Sequence, residues 1–128
     1  MENEFVTYEQ ALALNELGFD EECFGEWLNL KIGKYLRLNE EDSFWNITSL
    51  SANIKAPIKQ QVFRWFREKY NIIGIIEGGY TEGKNVFSYV IWQGHLDDWT
   101  DDIFNTYEEA QNVCIDKLIE IAKQQAIS

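Results

Sequence analysis

The chain lacks the features that mark linkers, tails and multidomain proteins. It has a single proline, eight glycines and no low-complexity run, so nothing indicates a linker or a long disordered segment. Its 128 residues, of which 45% are apolar, are enough for one hydrophobic core. We therefore predict a single domain over residues 1–128.

Signals for export and for membrane insertion are also missing. The first residues, Met1 to Val6, are acidic where a signal peptide carries basic residues. No run approaches the roughly 18 consecutive apolar residues that a membrane span requires. We expect a cytoplasmic protein that does not contact a membrane.

Residues that carry most enzyme chemistry are scarce. Cys23 and Cys114 form no CxxC pair and no Cys/His spacing typical of a metal site. His95 is the only histidine, and no nucleophile stands at a recognisable spacing from it. We predict that the protein is not an enzyme and that it holds no metal or cofactor.

Two partial motifs fail at defining positions. Residues 78–84 match a phosphate-binding loop, but Asn85 replaces the required Ser or Thr, and strand-forming residues follow where a helix is needed. Residues 97–108 resemble a calcium loop, but Trp99 occupies its third position and Asp102 replaces its glycine. We interpret the first segment as a hairpin loop and the second as a solvated acidic turn.

The net charge of −11 is unevenly distributed along the chain. Residues 1–26 carry eight acidic side chains and no basic one, and residues 85–116 carry seven acidic side chains and no Lys or Arg. Residues 55–69 have the opposite sign, with five basic side chains against Glu68 alone. A negative surface repels nucleic-acid backbones and anionic membranes and attracts basic partners. It also keeps a small protein soluble, which is the more general interpretation.

Start signals and apolar periodicity predict three helices. Capping boxes at Thr7 and Thr106 open the first and last helices, within the repeated signal Thr-Tyr-Glu-(Gln/Glu)-Ala. Gly18 ends the first helix. Pro57 opens the middle helix, 57–70, whose apolar side chains lie within an arc of about 160°.

Between the helices the apolar pattern changes to a two-residue period. Residues 27–38 predict a hairpin with Gly33-Lys34 at its turn, and residues 72–93 predict a second hairpin whose first strand is buried. Residues 99–104 predict a short edge strand, and residues 44–47 are either a third strand or part of a loop. The order α-β-β-(β)-α-β-β-β-α defines an α+β fold, with three helices packed over one face of an antiparallel sheet of β-hairpins.

We expect a binding surface on the middle helix and on the acidic turn. The 19 aromatic residues exceed what a core of this size usually holds, and Trp, Tyr and Arg dominate binding hot spots. Trp65, at the edge of the apolar arc, is the first candidate, with packing at the core boundary as its alternative. The whole candidate surface comprises Gln60, Gln61, Arg64, Trp65, Arg67, Asp97, Asp98, Asp101 and Asp102.

Four segments carry a resemblance to a known family, and they are residues 4–12, 17–21, 60–70 and 106–110. They are similar to a family of small uncharacterised proteins of bacterial viruses and prophages. The most specific of them is Phe-Arg-Trp-Phe-Arg-Glu-Lys-Tyr, residues 63–70, and the chain departs from the family around residues 44–53 and 78–84. The resemblance implies a viral origin and the cytoplasm of an infected or lysogenic bacterium. It implies no activity, catalytic residue or ligand.

Two hypotheses of function follow. The first is a non-enzymatic phage-associated accessory protein that binds a host or viral protein, which we expect to be basic. Its sharper form is an acidic inhibitor of a basic nucleic-acid-binding protein, of the anti-defence type. The alternative is an anion-, nucleotide- or RNA-binding module that uses Lys59, Arg64 and Arg67 on the basic face of helix 57–70.

Overall fold

A computed structural model describes residues 2–30, 33–38, 53–94, 96–99 and 102–127. After a short 3-10 turn, the helices are α1 (Tyr8–Glu16), α2 (Lys59–Tyr70) and α3 (Tyr107–Ile127). The strands are β1 (Gly25–Leu30), β2 (Gly33–Leu38), β3 (Asn53–Ala56), β4 (Ile72–Thr81), β5 (Lys84–Gln93) and β6 (Leu96–Trp99). The predicted α+β class and element order are confirmed.

The described strands divide between two antiparallel sheets of three strands each, ordered β2-β1-β3 and β4-β5-β6. The division arises because β3 pairs back onto β1 and α2 then separates β3 from β4. By its contacts the chain forms two compact units, Met1–Ile58 and Lys59–Ser128, called unit 1 and unit 2 below. The prediction of a single domain stays a prediction.

The predicted capping box at the start of α1 is present in unit 1. Thr7 Oγ1 accepts a hydrogen bond from the backbone N–H of Gln10 at 3.1 Å, and Gln10 Oε1 accepts one from the N–H of Thr7 at 3.0 Å. Gly18, at φ 95°, ends the helix. The N–H groups of the two residues after the C-cap donate to carbonyls of the last turn at 3.1 and 2.9 Å, as in a Schellman motif. Short local signals therefore predicted both ends of α1.

The hairpin of β1 and β2 has its turn earlier than predicted. Leu30 pairs with Gly33, so Gly33 and Lys34 belong to β2, and the two residues between the strands lie outside the described ranges. The pairing also places Leu28 and Leu36 on opposite faces of the sheet, because neighbouring residues of a strand point to opposite sides. The apolar alternation runs through the turn and does not locate it.

The third strand of this sheet comes later in the chain than the predicted one. β3 pairs with the free side of β1, whereas the strand or loop predicted at residues 44–47 lies outside the described ranges. Directly after β3, the Pro57 carbonyl accepts a hydrogen bond from the N–H of Val6 at 3.1 Å. The Val6 carbonyl in turn accepts one from Trp27 Nε1 at 3.0 Å. These bonds attach the start of the chain to the sheet of unit 1.

Unit 2 is built around the β4–β5 hairpin. Its turn consists of Glu82 and Gly83, which have φ values of 51° and 80°, the positive values of a two-residue type I′ turn. β6 follows Gly94, at φ 63°, and pairs with β5. α2 packs on β4, and α3 packs on both β4 and β5.

Gly74 allows the helices of unit 2 to approach the sheet closely. A Cβ atom at this position would lie 2.9 Å from the ring of Phe63 in α2 and 3.0 Å from Cys114 Sγ in α3. Ile72, on the same face of β4, is fully buried. The core of unit 2 therefore lies between the two helices and this half of β4.

Candidate protein-binding surfaces

The α2 helix buries one side and exposes charged side chains on the other. It begins at Lys59, two residues later than predicted, because Ile58 forms an isolated bridge with Phe5 and Pro57 lies before the helix. Its buried apolar residues are Val62, Trp65 and Phe66. Its exposed residues are Gln60, Arg64, Arg67, Glu68 and Lys69, and Gln61 is half-buried. Most of the polar α2 residues that were predicted for the binding surface are therefore accessible.

Trp65 lies in the core of unit 2 and not on its surface. It is only 5% exposed, and its ring makes edge contacts with Phe66 and Tyr70 at centroid distances of 5.1 and 5.5 Å. Lys69 Nζ lies 5.3 Å from the Trp65 ring centroid, close enough for a cation–π contact. Trp65 thus takes the alternative role of packing at the core boundary and presents almost no surface to a partner.

Lys59 is also buried, which breaks the predicted basic face. It is 3% exposed. Burial lowers the pKa of its ammonium group, and the carboxylate of Glu108 in α3 partly offsets that shift. Arg64 and Arg67 remain exposed, so the trio Lys59, Arg64 and Arg67 does not form one accessible site. The helical wheel missed this because it does not show the tertiary contacts that bury Lys59.

The predicted acidic turn is in part a strand. Asp97 and Asp98 lie in β6, opposite Trp92 and Ile91 of β5, and the predicted edge strand at 99–104 contributes only Trp99 to β6. Gly94 turns the chain tightly enough for the pairing of β6 with β5 to begin at Leu96. The two aspartates are compatible with this position, because edge strands tolerate charged residues. Asp101 lies outside the described ranges, and Asp102 is exposed.

The acidic N-terminal stretch, residues 1–26, is mostly on the surface of unit 1. Its exposed acidic side chains, among those described, are Glu4, Glu9, Glu16, Asp20 and Glu22. Arg37 bonds to Glu26 at 2.9 Å, and Lys34 Nζ lies 3.9 Å from the carboxylate of Glu9. Lys55 Nζ donates to the Asp20 carbonyl at 2.7 Å. The basic side chains described in unit 1 thus offset the charge of this stretch only in part, because there are fewer of them.

The second acidic stretch, residues 85–116, is centred on the start of α3. Thr106 Oγ1 accepts a hydrogen bond from the N–H of Glu109 at 3.1 Å, as the predicted capping box requires. Among the acidic side chains described here, Asp102, Glu108, Glu109 and Asp116 are exposed. The first-turn carboxylates Glu108 and Glu109 interact favourably with the helix dipole. Part of this charge therefore stabilises the helix start.

Neither cysteine is in a setting that activates a thiol. Burial is the main reason why the pKa of Cys23 is raised to about 11. The charge of Lys55 lowers this pKa, and the charges of Glu21 and Glu26 raise it. Burial also raises the pKa of Cys114 to about 12. Among the described residues, no group of three or more His, Cys, Asp or Glu could hold a metal ion. His95 lies outside those residues.

The segment that resembles a phosphate-binding loop is the tip of the β4–β5 hairpin. Residues 78–81 still belong to β4, and Lys84 begins β5, so a strand follows the segment. A phosphate-binding loop needs the N-terminus of a helix at that point. The interpretation as a hairpin loop is confirmed, with a turn of only two residues.

Sequence reasoning missed an exposed apolar surface on the second sheet. Ile73 and Ile75 of β4 are exposed, although this strand was predicted to be buried, and Trp92 of β5, which pairs with Ile73, is exposed as well. Of the isoleucines in β4, only Ile72 is fully buried. A continuous apolar run is compatible with burial on one or both faces, so the run alone does not separate the two cases.

No protein-family model, curated protein or solved structure matches this chain. The resemblance to proteins of bacterial viruses and prophages therefore stays a prediction. No helix in the described ranges has both the length and the apolar character needed to cross a membrane.

Proposed function

We propose that this chain is a non-enzymatic, phage-associated accessory protein that binds a basic host or viral protein. Within that class, its role is that of an acidic inhibitor that occupies a nucleic-acid-binding surface. One observation carries the proposal: in the two stretches, residues 1–26 and 85–116, most of the acidic side chains that the structure describes are exposed. Buried or fully paired carboxylates would produce no such external field.

The physical basis is the sign and the density of the charge. With a net charge of −11, the surface attracts a cationic groove from a distance and speeds the encounter with it. Lys and Arg side chains that contact phosphates on a nucleic acid can contact carboxylates in the same way. Nucleic acid and this protein would then compete for one surface.

The test begins with the tagged full chain expressed in a bacterial host and with the partner that co-purifies. The partner is then purified, and its affinity is measured by calorimetry at rising salt concentration. We expect a basic partner whose affinity falls as salt screens the charges, and whose nucleic acid is displaced by this protein. An acidic partner, or an affinity that does not change with salt, would contradict the proposal.

Matched charge variants localise the effect. The variant Glu4→Gln/Glu16→Gln/Asp20→Asn removes three exposed charges from the first acidic stretch. The control Glu68→Gln/Glu82→Gln/Glu120→Gln removes the same number of exposed charges outside both stretches. We expect the first variant to weaken binding clearly more than the control. Equal losses would mean that net charge alone, and not this surface, governs binding.

The alternative is an anion-, nucleotide- or RNA-binding module on α2. The exposed Arg64, Arg67 and Lys69 favour it, but burial of Lys59 removes one of its three expected cations. The charge reversal Arg64→Glu/Arg67→Glu discriminates the two functions. It abolishes binding under the alternative and leaves it intact, or tighter, under the proposed function.

A further inference from the structure

The outer edge of β4 carries backbone groups that no described strand pairs. In the sheet order β4-β5-β6, β4 has β5 on one side only. Phe87 of β5 exchanges both backbone hydrogen bonds with Phe104, at 2.9 and 2.8 Å, so its N–H and C=O point away from β4. Its cross-strand partner Gly78 therefore points its own N–H and C=O to the outer edge.

The same alternation assigns the neighbouring residues of β4. Gly74, Ile76 and Tyr80 also direct their backbone groups outward, because antiparallel pairing alternates between the two orientations. Residues 75, 77 and 79 direct theirs to β5. The outer edge thus offers a regular row of donors and acceptors to another strand.

This edge lacks the devices by which proteins protect edge strands. β4 runs for 10 residues without proline, and its unbroken pairing with β5 leaves no bulge. Glu77 is its only charged residue, and the backbone groups of Glu77 face β5. A long, regular and nearly uncharged edge is a template for pairing with another chain.

Two side-chain features of the half of β4 next to the hairpin turn, residues 78–80, have no explanation among the described residues of the chain. A Cβ atom at Gly78 would meet nothing within 4 Å, and Tyr80, two residues further along the same face, is 73% exposed. Glycine weakens a strand interior and often marks a place that another backbone approaches closely. An exposed tyrosine beside an open glycine points to an occupant that the described part of the chain does not supply.

We propose that a second copy of this chain pairs with the outer edge of β4, with the two β4 strands antiparallel about a two-fold axis at Gly78. The sheets of the two unit 2 regions then join into one six-stranded sheet. In this register Ile76 lies opposite Tyr80 of the second copy, a β-branched and aromatic pair of the kind that stabilises sheets. Each Tyr80 is also diagonal to Gly78 of the other copy, whose open space its ring covers.

The side chains select this register among the alternatives. An axis at Glu77 would set two carboxylates directly opposite each other, which is destabilising. An axis at Ile76 would place Tyr80 opposite Ile72 and leave Gly78 opposite Gly74, with its open space uncovered. With the axis at Gly78, Glu77 lies opposite Gly79 of the second copy. A strand from an unrelated protein would pair with the same backbone groups but would bring no Tyr80 to Gly78.

Charge gives this association a signature opposite to that of the proposed function. Each copy carries a net charge of −11, so self-association tightens as salt screens the repulsion, whereas binding to a basic partner weakens. The first experiment is sedimentation equilibrium of the full chain at about 0.1 M and about 1 M salt, where the Debye length falls from about 10 to about 3 Å. We expect a dimer that is tighter at the higher salt concentration. A chain that stays monomeric at both concentrations overturns the proposal.

Two variants test whether the edge of β4 is the interface. Gly78→Pro removes an outward N–H, and Tyr80→Lys removes the ring that covers Gly78. We expect each to weaken the dimer by about tenfold or more. The control is Tyr35→Lys, the same change at a tyrosine of β2 that is 46% exposed, and it leaves the dimer unchanged. A dimer that Tyr80→Lys leaves intact overturns the proposal even where Gly78→Pro impairs folding.

Disulfide trapping tests the register. Paired residues that exchange hydrogen bonds across an antiparallel ladder have Cα atoms about 5.5 Å apart, within the range of a disulfide. In a Cys23→Ser background, we expect oxidation to trap a covalent dimer of Gly78→Cys and none of Ile76→Cys. Trapping by Ile76→Cys alone, or by neither variant, overturns the two-fold pairing at Gly78.

Discussion

Gly74 and Gly78 lie four residues apart on the same face of one strand, in opposite environments. At Gly74 a Cβ atom would approach Phe63 at 2.9 Å and Cys114 at 3.0 Å, whereas at Gly78 it would meet nothing within 4 Å. The first glycine is explained by helices that pack against it. The second is not explained by any residue that the structure describes, which is why the half of β4 next to the hairpin turn is a better candidate for an interface than for part of the core.

The largest expected contrast is between Gly79→Pro and Gly78→Pro. The N–H of Gly79 points to β5 and that of Gly78 to the outer edge, so only the first proline breaks a bond within the hairpin. We expect Gly79→Pro to lower the free energy of unfolding by about 3 kcal/mol and Gly78→Pro to lower it by less than about 1 kcal/mol. Urea denaturation of dilute, monomeric protein measures both. Equal losses would show that the orientation of the backbone groups is wrong.

The next contrast is between Gly74→Ala and Gly78→Ala. We expect Gly74→Ala to destabilise the protein by about 1–3 kcal/mol, because the added methyl group overpacks the contact with Phe63 and Cys114. Gly78→Ala changes the stability by less than about 1 kcal/mol and in the stabilising direction, because it restricts the unfolded chain. The same denaturation experiment measures both variants. A larger loss at Gly78 would contradict the open environment of that residue.

A smaller effect is expected at Lys59, a buried residue of α2 in unit 2. Lys59→Met keeps the length of the side chain and removes the buried charge, so we expect a gain of about 1 kcal/mol at neutral pH. Burial lowers the pKa of Lys59 in the folded state from its usual value of 10.5. Between the folded-state pKa and 10.5, the unfolded state binds more protons than the folded state. The wild type therefore gains stability as the pH rises through this range. The advantage of Lys59→Met therefore shrinks with rising pH.

The control for Lys59 is Lys123→Met, at an exposed position of α3. Thermal unfolding across the alkaline range should show almost no change for this variant and no pH-dependent difference from the wild type. If Lys59→Met behaves in the same way as Lys123→Met, then Lys59 is not buried in solution.

The smallest signal is the rate of thiol labelling at Cys114, which packs beside Gly74. In a Cys23→Ser background the reaction should be slow and should accelerate with pH up to about 12, because burial raises the pKa of Cys114 to that value. We expect Gly74→Ala to accelerate labelling several-fold through local opening, and Gly78→Ala to leave the rate unchanged. Labelling with a fluorescent maleimide measures both rates. Similar acceleration by both substitutions would remove the contrast between the two glycines.

Local signals predicted the elements well and the accessible surface less well. The capping box at Thr7 and the glycine at position 18 placed α1 to within a residue, because their hydrogen bonds lie within one turn of the helix. The turn of the first hairpin and the start of β6 were misplaced, because apolar alternation does not encode register. Trp65 and Lys59 were expected on the surface, and both are buried by contacts that a helical wheel does not contain.

The amino-acid sequence by itself determined the element order, the starts of the first and last helices, the absence of enzyme motifs and the uneven charge, because all of these depend on residue type and short spacing. Only the tertiary structure decided which strands pair, which of two similar glycines is enclosed and which charged residues reach solvent. Those outcomes depend on contacts between residues far apart in the chain, as when α2 and α3 close over Gly74 and leave Gly78 open. The free edge of β4 belongs to this second kind of feature, because only the sheet order shows that β4 has a described neighbour on one side alone.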